Sequence, residues 1–154
     1  MYNYGCSPIV RNCRFINNKA ALGGAMANLL DIGIKPTVDA GDVVATCFVP
    51  SNTEIYNSAF ENNSADGDDL LDGTLQSLGG AIYNALSHPV LHECLFTDNT
   101  AVGEAYDPLG GAIMNFCSNP SIVNCTFADN AVTSSTKSAY GGALLNYGQS
   151  EALV

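Results

Sequence analysis

The chain has 154 residues, 15 acidic against 5 basic side chains, a formal charge of −10 and 47% hydrophobic content. Its cations are Arg11, Arg14, Lys19, Lys35 and Lys137, too few for the basic track that a phosphate backbone requires, so nucleic acid is excluded as a partner. No run of about 20 apolar residues is present that could form a transmembrane segment as a helix.

Taken in chain order, the sequence repeats itself. Met1-Tyr2-Asn3 aligns with Ile82-Tyr83-Asn84, the middle of a unit, which predicts a segment truncated at both ends and cut from a longer protein. Phe15 to Asn18 follows, then Gly23-Gly24-Ala25-Met26. Residues 29–52 read as an insertion loop carrying Asp31, Asp39, Asp42 and Cys47. The pair of signals then returns three times: Phe60 to Asn63 with Gly79-Gly80-Ala81-Ile82, Phe96 to Asn99 with Gly110-Gly111-Ala112-Ile113, and Phe127 to Asn130 with Gly141-Gly142-Ala143-Leu144. The approximate units are 1–28, 29–84, 85–115 and 116–146 within one domain, 1–154. Two short signals recurring together identify a stacked repeat architecture before any residue identifies a chemistry.

The last unit shows the local structure most clearly. Ile122 and Asn124 share one parity while Cys125 and Phe127 share the other, so one flat strand cannot point Ile122, Cys125 and Phe127 to the same side. A bend at Asn124 resolves the conflict. Two short strands meeting at that corner, with a third from the Gly-Gly-Ala stretch, leave no room for a helical crossover. The prediction is an all-β fold: a right-handed, single-stranded parallel β-helix of about four coils, three short strands per coil, rising about 4.8 Å per coil.

Stacking in register predicts ladders at three corners: Asn3, Asn28, Asn84, Asn115 and Asn146; Asn12, Asn57 and Asn124; and Asn18, Asn63, Asn99 and Asn130. Asn suits such corners because it tolerates left-handed backbone and its amide can bond its own copy one coil away. Glu93 interrupts the second ladder and, lacking a donor, should make a weaker rung. Inside, a Phe column and the large residue after each Ala form the core, each buried member contributing roughly 1.5 to 3 kcal/mol. Cys13, Cys94 and Cys125 form a further column, interrupted by Ser58, and read as free thiols acting as small hydrophobes.

The Phe-x-x-Asn and Gly-Gly-Ala signals together resemble the repeats of the polymorphic outer-membrane proteins, surface autotransporters best known in chlamydiae, and of related pectin-lyase-like β-helix proteins. That resemblance implies an extracellular or outer-membrane location and an adhesin-like or passenger-like scaffold whose partner is a host or neighbouring-cell surface protein or glycan. Variable loops on a rigid scaffold are where binding resides. The acidic loop with Asp66, Asp68, Asp69 and Asp72 is a calcium candidate, because hard cations take oxygen clusters on flexible turns, although the EF-hand order of ligands is missing. No other cofactor is expected.

An enzymatic reading competes. This fold also serves polysaccharide lyases and hydrolases, of which the chain could be a structural part. A lyase of this kind needs a basic residue projecting from a strand face, and the Gly-Gly-Ala strands offer Tyr83, Met114 and Leu145 instead. The stacked pair Asp98 and Asp129 is read as turn residues rather than catalytic carboxylates. His88 and His92 lack companions at ligand spacing. Exposed terminal strands would also allow end-to-end self-association.

Overall fold

The structure, a computed structural model, describes residues 1–30, 50–68, 76–150 and 152–153. Most of the 29–52 insertion lies outside the described residues, as do Asp69 and Asp72. Every strand pairing is parallel and joins equivalent positions of successive units. The first sheet stacks Tyr2–Tyr4, Met26–Leu29, Ile82–Ala85, Ile113–Phe116 and Leu144–Tyr147. The second holds Ile9–Arg11, Glu54–Tyr56, Val90–His92 and Ser121–Val123, and the third holds Arg14–Ile16, Ala59–Glu61, Leu95–Thr97 and Thr126–Ala128. This is a parallel β-helix.

The three strands expected in each coil are present, and a fourth joins them. It comprises Lys19–Ala20, Ser64–Asp66, Thr100–Val102 and Ala131–Thr133, at the place where the sequence suggests the variable loop begins. Each of these strands is two or three residues long, and Ala65 and Ala101 are the fully buried residues of theirs. One small inward residue between polar neighbours leaves almost no periodic signal.

The core is a set of columns. Phe15, Phe60, Phe96 and Phe127 stack with centroids 4.8, 4.9 and 4.8 Å apart and planes within 6 or 7° of parallel, the interstrand spacing itself. Met26, Ile82 and Ile113 are fully buried on the first sheet, and Ile55 and Leu91 on the second, with Ile122 nearly so. The bend between the second and third sheets is real: Asn12, Asn57, Glu93 and Asn124 have φ of 52, 44, 55 and 53°.

At that bend the thiols do more than fill space. The Sγ atoms of Cys13, Cys94 and Cys125 each reach the carbonyl two residues back at 3.2, 3.4 and 3.4 Å, and Ser58 Oγ donates to Tyr56 in the same way at 2.8 Å. A hydroxyl and a thiol are interchangeable donors for closing the turn. This explains why Ser58 interrupts the column. The thiols are free among the described residues, with Cys94 buried, Cys125 half-buried and Cys13 exposed.

The two glycines of each Gly-Gly pair have separate duties. Gly23, Gly79, Gly110 and Gly141 take φ of 56 to 71°, backbone that costs glycine nothing. The second glycine lets backbones approach: a Cβ on Gly80 would sit 2.0 Å from the Gly111 oxygen and 2.6 Å from the Thr100 nitrogen. Gly-Gly is therefore where the first sheet turns sharply against the fourth.

Candidate functional site

The left-handed turn at the first glycine folds the preceding residue over the outer side of the first sheet. Leu22, Leu78, Leu109 and Tyr140 form a bridge column there. Leu78 and Leu109 pack with Tyr83, Ala85 and Met114 in an apolar cluster separate from the coil interior, with Leu29 and Leu145 against it. Two register columns cross this face: Tyr2, Ala27, Tyr83, Met114 and Leu145, and Tyr4, Leu29, Ala85, Phe116 and Tyr147. None of these residues is charged. By contrast, Arg11, Glu54, Arg14, Glu61 and Lys19 occupy strands of the other three sheets.

A groove of about 450 Å³ opens on this face, lined by Gln76, Leu78, Tyr83, Asp107, Leu109, Met114, Phe116, Tyr140, Leu145 and Tyr147. Its aromatic edge is solvent-exposed: Phe116 is 36% exposed, Tyr140 48% and Tyr147 57%. Phe116 and Tyr147 stack at 6.0 Å. Burial pushes the Tyr83 phenol above its ordinary value, so it stays a neutral donor. Gln76 Nε2 donates to the Asp107 carbonyl at 2.8 Å, and Asp107 Oδ1 accepts the Ser138 amide at 3.1 Å. The sequence shows the apolar residues of these strands but not the leucine column that folds back over them.

Beside the groove, loops of successive coils are tied by carboxylates. Asp68 accepts the Glu104 and Ala105 amides. Glu104 accepts the Ser135 amide and hydroxyl and the Thr136 hydroxyl, bonds that hold its carboxyl below the usual range, those from Ser135 first. Of the calcium candidates, Asp66 Oδ2 lies 3.1 Å from Lys19 Nζ and its Oδ1 accepts the Asp68 amide. A cation at Asp66 and Asp68 would have to compete with these partners. Asp69 and Asp72 lie outside the described residues.

The other singled-out residues have structural roles. His88 Nδ1 accepts the Asn119 amide at 2.9 Å, while the His88 amide donates to Asn52 Oδ1 at 2.8 Å. His88 is one rung of a turn-to-turn chain rather than half of a site with His92, whose Nδ1 lies 3.8 Å from Glu93 Oε1. Asp98 and Asp129 have φ of 55 and 54°, stacking above Asn17 and Asn62 as left-handed turn residues.

Fold and outer face together define a repeat protein in which successive coils form a continuous, ladder-bonded scaffold. Residues 57–85, spanning Phe60, Asn63 and Gly79-Gly80-Ala81-Ile82, match the family model of the Chlamydia polymorphic membrane protein repeat, and the stacked parallel sheets fit a protein built from repeats of that type. No curated protein and no solved structure matched the chain.

Proposed function

We propose that this β-helix is a non-enzymatic, surface-displayed scaffold, adhesin-like or passenger-like, that holds its loops and outer face toward another cell's surface protein or glycan. The observation that supports it is the unbroken amide ladder through Asn3, Asn28, Asn84, Asn115 and Asn146, with Nδ2 to Oδ1 distances of 2.7 to 2.9 Å, in a chain that carries a polymorphic membrane protein repeat. Amides bonded to their own copies across five strands, buried at Asn3, Asn28, Asn84 and Asn115, give a stiff rod. Its coils are uniform while its loops differ.

Beads coated with the purified chain and offered to host or neighbouring cells test the binding role. Adhesion above that of beads carrying an unrelated acidic protein is expected, together with no turnover of polygalacturonate by the same preparation. Absent adhesion, or turnover of the polymer, would overturn the reading. Calcium in the Asp66–Asp72 loop is a separate proposal, checked by a calorimetric titration in which heat at millimolar calcium supports the site and its absence removes it.

A further inference from the structure

We propose that the groove on the outer face of the first sheet binds a neutral glycan chain, stacking pyranose rings on the exposed Tyr140 and Tyr147. This rests on the scaffold reading above and gives one of its surfaces a ligand class. Concave, mostly apolar clefts of this volume with a few convergent polar groups are the usual form of a small-ligand site. The floor is Tyr83 and Met114, nearly buried, and the two exposed tyrosines lie on the last coil, Tyr140 one coil beyond Leu109 and Tyr147 one coil beyond Phe116.

Three observations select the ligand. Tyr140 and Tyr147 flank the groove on one coil, and Phe116 lies in register with Tyr147 on the coil before, their rings 6.0 Å apart, so an extended ligand laid across the coils passes from one ring to the next. Among the described residues, no hydrogen bond joins the Tyr83, Tyr140 or Tyr147 hydroxyl to another group. Those phenols are free to bond a ligand rich in hydroxyls. Charge then separates neutral from acidic sugars: among the described residues the lining contains Asp107 and no cation, and the chain carries −10 overall. Uronates, sialylated and sulfated glycans would meet like charge with nothing to pair them. A pyranose offers an apolar face to the rings and equatorial hydroxyls to the rim.

Isothermal titration of the full chain with neutral hexasaccharides of β-linked glucose, mannose and xylose tests this, with hexagalacturonate and a proline-rich decapeptide as comparators. Binding of at least one neutral hexasaccharide is expected. The double variant Tyr140→Ala/Tyr147→Ala should weaken it by roughly tenfold or more, while Tyr147→Phe, which keeps the ring, should stay within about threefold. Both positions are exposed, and an unchanged circular dichroism spectrum and melting point would show that the variants fold. The proposal fails if no neutral hexasaccharide binds, if the double variant binds as tightly as the parent, or if only hexagalacturonate or only the peptide binds. Beads that still adhere to cells after such a failure would leave the scaffold reading standing and remove only the groove.

Discussion

An asparagine amide is a short uncharged side chain that both donates and accepts in a single plane, which lets a column of identical residues satisfy itself. At Asn84 the oxygen accepts from Asn28 and the nitrogen donates to Asn115, all three fully buried. Asn84→Leu strands a donor below and an acceptor above, and unfolding in urea should show a loss of about 2 to 5 kcal/mol. The exposed rung from Asn57 to Asn12 is worth far less: Asn57→Gly, which keeps the left-handed backbone, should cost about 0.5 kcal/mol or less. Equal losses at the two sites would contradict the ladder account. A second residue-scale consequence concerns the stacked thiols. A hydrogen bond from Cys94 lowers the Cys125 thiol to about 7, and the same pairing, with burial, pushes Cys94 up. Cys125 should therefore alkylate with a midpoint near neutral pH and well ahead of Cys94, read by peptide mass spectrometry. Because the folded value lies below the ordinary 9.0, the stabilisation from this thiolate is fully present above about pH 9 and fades as pH falls through 7. A Cys94 that reacts first would reverse the assignment.

Elements depend on backbone approach as much as on side chains. Gly80 and Gly142 occupy the same position of the repeat, yet a Cβ on Gly142 would have its nearest neighbour, the Asn130 oxygen, at 3.8 Å, against 2.0 Å for Gly80. Gly80→Ala should lower the melting point sharply or abolish folding, while Gly142→Ala should change it little; similar melting points for both would mean the first and fourth sheets do not meet as described. The recurrence of Gly-Gly-Ala was legible in the sequence, as were the Phe column, the bend at Asn124 and the first and third ladders; at the bend, among the described residues, the expected ladder is reduced to the Asn57 to Asn12 rung, and the Glu93 carboxylate lies 3.8 Å from His92 instead of forming a weaker rung. The fourth strand was not, because Ala65 or Ala101 between polar neighbours gives no apolar periodicity. The ladders also differ in how they turn the chain. At the bend the ladder residue itself is left-handed, as expected. At the other corners the left-handed residue is a neighbour: Asn17, Asn62, Asp98 and Asp129 precede the third ladder, and Leu86 and Cys117 lie two residues beyond the first. Asn3, Asn28, Asn84 and Asn115 stay within their strands with their amides buried. The expectation that every ladder Asn supplies its own turn fails there because a buried amide and a left-handed turn are easier to place on adjacent residues than on one. The outer groove was half legible: Tyr83, Met114 and Leu145 were visible as apolar outward residues, but the leucine column over them depends on the turn at the first glycine.

At the scale of the whole molecule, each coil bonds to the next at every corner, so stiffness accumulates along the axis while the residues that face outward change from coil to coil, as in the column Arg11, Tyr56, His92 and Val123. Such an arrangement suits display. Under the proposed function, binding chemistry sits on a surface that does not have to move, apart from the residues that carry stability. The most direct test of that claim is to label intact cells that make the protein with an antibody raised against loop residues 103–108 and 134–140, with and without brief external protease. Labelling of unbroken cells that is lost on protease treatment is the predicted result; labelling that appears only after the cells are lysed would contradict surface display.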